Sequence, residues 1–206
     1  MSSRPIFNDR PIFNDRSTPL SMLATRRSGK PRDLVAPGPS AAELDQAIAI
    51  ASRTPDHGKL APWRFVVVED EQRPAFAALL AEAYRAEKPG VAEAEVEAAA
   101  QFAYQAPALV VVLSSPVEHK VPRWEQELSA GAACMNLLHG VHAQGYAGGW
   151  LTGWAASSER VRDAFGTAPE RIVGFVFIGT PSRALEERPR PDPTNTVSRW
   201  DGAANR

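Results

Sequence analysis

The chain has little that would place it outside the cell or in a membrane. Its single cysteine, Cys134, cannot form a disulfide within the chain, and no apolar run approaches the ~20 residues of a membrane helix. The N-terminus carries Pro, Asn, Asp and Arg where a signal peptide needs an apolar stretch. The expected compartment is therefore the cytoplasm, and no membrane partner is expected.

Neither sign of charge is in excess. Lys and Arg number 23 against 24 for Asp and Glu, which leaves a formal charge of −1. Without a general basic field we expect no nucleic-acid partner, and any site for an anion must be local. The 206 residues, 44% of them hydrophobic and 23% charged, have the composition of a globular domain with a sizeable core.

Common catalytic and metal-binding motifs are also missing. There is no Gly-x-Ser-x-Gly sequence. His139 and His142 are spaced to share a helical face, but no carboxylate or second ligand accompanies them at a useful spacing, so no metal site is expected. Cys134 lies in an apolar helical segment and is expected to be an inert core residue.

Both ends of the chain differ from its middle. The hexapeptide Arg4–Asp9 is repeated at once as Arg10–Asp15, and two such short copies cannot form a solenoid. We interpret residues 1–17 as a poorly ordered extension, with a docked arm or an upstream start codon as alternatives. Residues 183–206 are rich in proline and are predicted to be an extended tail. The folded unit is then residues 18–182.

Periodicity, capping and turn signals predict the elements of that unit. Ser40 and Glu43 form a capping box, and Thr54-Pro55 ends the helix that follows near Arg53. The stretch 109–113 is apolar on both faces, as a strand between two helical layers would be. The long segment 123–144 is apolar around most of its circumference, which predicts burial at the centre or at a subunit interface, and Gly145 ends it. Helices are predicted at 19–25, 40–53, 76–84, 91–104, 123–144 and 157–165, and strands at 63–68, 109–113 and 171–178. The class is α+β, or α/β with a mixed sheet.

Three segments carry candidate binding residues. Arg26, Arg27 and Ser28 offer two guanidinium forks and a hydroxyl, which suits a phosphate, although arginines near a helix C-terminus can simply face water. The loop around His57 and Lys59 could donate to an anion or a polar ring, or be an ordinary turn. The glycine-rich segment 145–154 lets backbone approach a flat ligand, or is a kinked strand with two core tryptophans.

The order of these segments resembles the nitroreductase family of flavoproteins, and most closely a short bacterial subgroup of it. The resemblance covers residues 20–194, and its most specific part is the segment 119–131. The motifs, in chain order, are Arg-Arg-Ser, Pro-Asp-His before Pro-Trp-x-Phe, His-Lys-Val-Pro-Arg-Trp-Glu-Gln-Glu-x-Ser-Ala-Gly, Gln-Gly-x-x-Gly-x-Trp and Val-Gly-Phe-x-x-x-Gly-Thr-Pro.

The resemblance implies an α+β fold with a mixed central sheet flanked by helices, in an intertwined homodimer with two FMN sites at the subunit interface. One subunit would hold the FMN phosphate and ribityl chain, and Arg53 and His57 would also contact the flavin. The other subunit would complete the site, with backbone contacts expected at Leu151 and Thr152. The implied FMN residues are Arg26, Arg27, Ser28, Arg53, His57, Trp150, Leu151 and Thr152, and the implied nicotinamide contacts are Gly140, Val141, His142, Ala143, Gln144 and Gly145.

The implied activity is that of an FMN-dependent oxidoreductase. It takes hydride from NAD(P)H and then reduces a small-molecule acceptor, such as a nitroaromatic or a quinone, in the same pocket by a ping-pong mechanism. Because a flavin carries the hydride chemistry, no catalytic acid, base or nucleophile is required of the protein. The alternatives are a relative with changed chemistry, such as oxygen-dependent flavin breakdown or dehalogenation, and a non-catalytic flavin-binding module.

Overall fold

The computed structural model of the chain describes residues 13–200 and 202. This part contains eight α-helices and five strands. The helices are α1 (Pro19–Thr25), α2 (Ala41–Ala51), α3 (Arg73–Glu87), α4 (Glu93–Gln101), α5 (Arg123–Gln144), α6 (Gly153–Ser157), α7 (Glu159–Phe165) and α8 (Pro193–Thr196). The strands are β1 (Leu34–Val35), β2 (Trp63–Val67), β3 (Ala108–Ser114), β4 (Ala147–Leu151) and β5 (Arg171–Pro181).

Strand β5 organises the sheet. It pairs with β1, β3 and β4, and β2 pairs with β3 on the far side of β3. The α+β class and a central sheet flanked by helices are confirmed. Every pairing between the described strands is antiparallel, so the parallel pairs that a mixed sheet also contains are not observed among them.

Strand β3 separates two apolar layers, as its sequence predicts. Leu109, Val111 and Leu113 face a cluster that includes residues of α3 and of β5. Val110 and Val112 face a second cluster, which contains the buried residues of α2 and α5. All five side chains are fully buried, because alternate residues of a strand point to opposite faces and each face is covered by helices.

Helix α5 crosses the second layer and has two different sides. It follows Pro122 and ends at Gly145, whose φ of +105° is the left-handed cap that glycine adopts without strain. One side packs on the sheet and on α2, and a side chain at Gly140 would meet the Ala47 backbone at 3.2 Å. On the other side, Trp124 and Leu128 are 60% and 66% exposed. Helix α5 was predicted to be buried on several sides. Within a single chain, it is buried only on the side that faces the sheet.

Some element boundaries differ from those predicted. The helix expected at 91–104 ends at Gln101 and continues as a short 3-10 turn. The helix expected at 157–165 starts at Glu159, because the Ser158 hydroxyl accepts a hydrogen bond from Val161 N at 3.2 Å and caps a new helix there. Strand β1 has two residues and was not predicted.

Parts of both chain ends contact the folded unit. Residues 13–17, part of the extension expected to be poorly ordered, are docked, since Asn14 bonds to the residues that follow α1 and Arg16 reaches Ala143 O at 3.4 Å. The rest of the extension lies outside the described residues. The tail after residue 182 is mostly exposed and extended apart from α8. None of the helices in the described part combines the length and hydropathy that a membrane span requires.

Candidate functional site

The loop Arg26–Ser28, called the arginine loop here, lies against β4. It follows α1 directly, and Gly29 N donates to Gly148 O at 3.1 Å. A side chain at Gly149 would come within 2.6 Å of Gly29 O, so the close approach depends on glycine there. The resemblance assigns these two segments to different subunits, whereas here they meet within one chain.

Arg27 is the most enclosed residue of the loop. Its side chain is 7% exposed, and Nη1 donates to Arg26 O at 2.8 Å and to Ala24 O at 3.4 Å. Its Nη2 pairs with the carboxylate of Glu187, which comes from the tail. The buried Nε has no hydrogen-bond partner among the described residues. Nε and Nη2 form the edge of a guanidinium that binds oxyanions bidentately, and the carboxylate uses only Nη2.

The tail covers this loop and leaves a cleft between them. The cleft has a volume of about 190 Å³ and is bordered by Arg27, Ser28 and Lys30 on one side and by residues 181–188 on the other. Lys30 Nζ donates to Glu186 Oε2 at 2.9 Å, parallel to the pair between Arg27 and Glu187. Two neighbouring cations of the loop region therefore each hold a carboxylate.

Positive charge is concentrated around the arginine loop. Burial lowers the pKa of Arg26, and the nearby charges of Arg190, Arg27 and Arg188 lower it further. The pKa of Glu187 is lowered mainly by its hydrogen bond from Arg27. Four guanidinium groups, those of Arg26, Arg27, Arg188 and Arg190, therefore lie near one another, and such a cluster favours an anionic ligand.

The segment implied as a nicotinamide contact forms the end of α5. Gly140, Val141 and His142 are buried, while Ala143 and Gly145 are exposed. Burial, together with the nearby Arg26, lowers the pKa of His142 to about 3, so this imidazole is neutral at pH 7. Gln144 Nε2 is occupied by Glu43 O at 2.7 Å. In this structure only the end of the segment is open to a ligand.

His57 lies beside the start of α5, whereas Thr54, the residue after Arg53, accepts a hydrogen bond from Asn136 Nδ2 of the same helix at 2.7 Å. His57 Nδ1 is 2.8 Å from Glu125 Oε2, near the start of α5, and both His57 and Arg53 are exposed. Burial lowers the pKa of the half-buried His139 imidazole, and the charge of Arg26 lowers it further, so Arg26 lies near His139. Positions 125 and 139 are about 21 Å apart along a helix. The structure therefore does not bring His57 and the arginine loop together within one chain.

The β4 residues turn their side chains away from the arginine loop or into the core. Trp150 Nε1 donates to Val173 O at 3.0 Å, and its ring packs in the α5 layer. Leu151 packs against the opposite layer, and Thr152 is exposed at the end of the strand. The backbone of this segment, rather than its side chains, is therefore available to contact a ligand.

Several site residues were not predicted from the sequence. The charged run Glu-Glu-Arg-Pro-Arg in the tail was available as a signal for Glu187, Arg188 and Arg190 but was assigned only to an extended tail. Phe13 and Asn14, which contact Arg27, lie in the segment interpreted as disordered.

Cys134 is buried as predicted, and burial raises the pKa of its thiol. No group of three possible metal ligands occurs in residues 13–200 or at 202.

Comparison with known proteins assigns the family. The model of the "Nitroreductase family" matches residues 23–180. The "Putative NAD(P)H nitroreductase YdjA" of Escherichia coli (strain K12) is 38% identical over 182 residues, which are 87% of this chain and 97% of that protein.

Two solved structures share the fold. A nitroreductase-like family protein from Bacillus cereus has a TM-score of 0.70 at 20% identity and covers 87% of this chain and 94% of its own. A variant of NfnB from Sphigopyxis sp. strain HMH, described as an FMN and NADPH-dependent nitroreductase, has a TM-score of 0.68 at 20% identity. The match covers 87% of this chain and 97% of the NfnB chain. By its sequence and its fold, this chain belongs to the nitroreductase family.

Proposed function

We propose that the chain is an FMN-dependent oxidoreductase that takes hydride from NAD(P)H and reduces a small-molecule acceptor, such as a nitroaromatic or a quinone, by a ping-pong mechanism. Family membership and the activities for which its relatives are named support this assignment. The observation that carries it is the arginine loop, in which buried Arg27 already holds an anionic group within a cluster of arginines.

The residues present fit the phosphate of FMN. The Glu187 carboxylate stands where one phosphate oxygen would bind, and Arg27 Nε remains for a second oxygen on the same guanidinium edge. Arg26 Nη1 reaches Ser28 Oγ at 3.3 Å, which keeps both side chains at the same place. Arg26, Arg27 and Ser28 would hold the phosphate, and the tail carboxylate would yield to it because a dianion pairs better with several guanidinium groups.

The backbone of 150–152 fits the role of a support for the ring system. The Trp150 indole is tied to Val173 O, and glycines precede it at 148 and 149, so no side chain of these residues stands between the β4 backbone and the arginine loop. FMN, when bound, supplies the chemistry of accepting and donating a hydride. The protein's part is to hold the phosphate and to present backbone donors to the ring.

A second copy of the chain completes the site in this proposal. If two α5 helices cross antiparallel about a two-fold axis near exposed Ala132, the Glu125 end of one lies beside the His139 end of the other. That arrangement brings His57 of one protomer to the arginine loop of its partner. It also covers Trp124 and Leu128, the exposed apolar residues of α5.

Replacing Leu128 by glutamate is expected to convert the dimer to a monomer, since a charge would be buried at the crossing. The FMN affinity should fall with it, because each site would lose the residues of the other protomer. Sedimentation velocity of the parent and of the Leu128→Glu variant measures the oligomeric state. Titration followed by flavin fluorescence measures the FMN affinity. Tyr104→Glu, an exposed position on the opposite face of the sheet, is the control that should stay dimeric. A Leu128→Glu protein that remained a dimer would contradict this interface.

The activity is tested by anaerobic titration of the FMN-loaded protein with NADH and with NADPH. We expect loss of the oxidised-flavin absorbance with at least one of them and its return on addition of a nitroaromatic or a quinone. No loss with either nucleotide would leave only a flavin-binding module. Chromatography of the flavin after exposure to air should return intact FMN, whereas a breakdown product would indicate changed chemistry.

A further inference from the structure

Residues 13–15, the end of the second copy of the N-terminal hexapeptide, lie against the arginine loop. The ring of Phe13 faces the Arg27 guanidinium, whose central carbon is 4.9 Å from the ring centroid. Phe13 is itself half-buried, so the ring is held in the structure. A cation over an aromatic face is attracted by the ring quadrupole, and the attraction is stronger where water is excluded, as it is around Arg27.

The next two residues bond to the chain on both sides of Arg26. Asn14 Oδ1 accepts from Arg27 N at 2.8 Å, and Asn14 N donates to Thr25 O at 3.0 Å. Asp15 N donates to the Thr25 hydroxyl at 2.9 Å. Asn14 has a φ of +54°, a left-handed conformation that asparagine tolerates better than most residues. The end of α1 and the start of the arginine loop are thus fixed by three consecutive residues.

These contacts hold the guanidinium of Arg27 independently of the tail. Nη1 donates to the carbonyls of Ala24 and Arg26, and the ring of Phe13 faces the guanidinium. The orientation of the edge formed by Nε and Nη2 is therefore fixed. A binding group that is already fixed loses less conformational entropy when its ligand arrives. Fixing Arg27 therefore favours the phosphate-bound state.

We propose that Phe13 and Asn14 are positioning residues that set the Arg27 guanidinium for the FMN phosphate, and that the duplicated hexapeptide supplies this element. The inference rests on the proposed function, since it assumes that Arg27 binds the phosphate. The first copy carries the same residues at Phe7 and Asn8.

The test uses the full-length chain with both phenylalanines replaced, Phe7→Ala and Phe13→Ala together, so that neither copy supplies the ring. The dissociation constants of FMN and of riboflavin, which lacks the phosphate, are measured by quenching of flavin fluorescence. We expect FMN binding to weaken by roughly three- to tenfold. Riboflavin binding should weaken less, because riboflavin lacks the phosphate that Arg27 binds in this proposal.

Two controls separate positioning from folding. Phe7→Ala alone should bind FMN as the parent does, since Phe13 remains. The pair Phe7→Leu and Phe13→Leu keeps an apolar side chain but removes the ring quadrupole, and it should weaken FMN binding without lowering the melting temperature of the flavin-free protein. In an Arg27→Ala background, the alanine pair should have no further effect on FMN binding.

The outcomes are distinct. Unchanged FMN affinity in both the alanine and the leucine pairs would overturn the inference and leave the proposed function standing. An equal loss for FMN and riboflavin would also overturn it, because the segment would then support the fold in general. If the parent chain bound FMN no better than riboflavin, the phosphate assignment would fail, and this inference with it.

Discussion

Replacement of Arg27 by alanine is expected to weaken FMN binding by about 1.5–3 kcal/mol, the range for hydrogen bonds to charged groups. This corresponds to roughly a 10- to 150-fold rise in the dissociation constant. The large effect follows from burial, since the side chain is 7% exposed and its oxyanion edge is shielded from water. Arg27→Lys should recover part of the loss, because it keeps the charge and loses the bidentate fork.

Titration of the apoprotein with FMN, followed by flavin fluorescence, measures this effect. Arg32→Ala is the matched control: Arg32 is exposed and five residues further along the chain, so it removes the same charge from the same region. The control should change the affinity little, since exposed charges at a distance are screened by salt. Parent-like FMN affinity in Arg27→Ala would show that the phosphate binds elsewhere.

Replacement of Gly149 by alanine is expected to destabilise the protein and to displace the arginine loop. The added Cβ would lie 2.6 Å from Gly29 O and 3.0 Å from Pro31 Cγ, and a backbone oxygen cannot give way without moving the loop. Overpacking of this kind costs about 1–3 kcal/mol. That cost exceeds the roughly 0.4–1 kcal/mol that alanine gains by restricting the unfolded chain. The melting temperature should fall by about 2–4 °C for each kcal/mol lost.

The adjacent glycine is the control for this substitution. A Cβ at Gly148 points to the other face of the sheet and meets Leu138 Cδ2 at 2.6 Å, the far end of a flexible side chain. Gly148→Ala should therefore cost less stability and leave FMN affinity unchanged. Calorimetry and FMN titration of both variants test the difference. Equal results for the two would mean that the approach of Gly29 to β4 does not set the position of the arginine loop.

Local signals in the sequence predicted the main elements of the fold. The capping box at Ser40 and Glu43 starts α2, and Gly145 ends α5, because each acts through hydrogen bonds within a few residues. The burial of β3 followed from its apolar faces alone. Strand β1 has only two residues, and its pairing with the end of β5 depends on contacts between distant parts of the chain, so no local pattern could indicate it.

The site was predicted only in part, for the same physical reason. The Arg-Arg-Ser sequence identified the loop through the chemistry of its own residues. The carboxylate that holds Arg27 comes from 160 positions further along the chain. Phe13, whose ring faces that guanidinium, comes from a segment whose composition suggested disorder. This segment is held by the ring contact and by the hydrogen bond to Asn14 rather than by an apolar core, so its composition gave no signal of order. The implied contacts at His57 stay a prediction that depends on a second chain.

The place of β5 in the sheet bears on how the protein is made. This strand is the last of the five to leave the ribosome, yet β1, β3 and β4 all pair with it. Before β5 has been synthesised, β4 lacks the strand with which it pairs. Of its two partner strands, β3 then has only β2. Sheet closure must therefore wait for the synthesis of β5, and apolar strand edges stay uncovered until then and can be bound by chaperones.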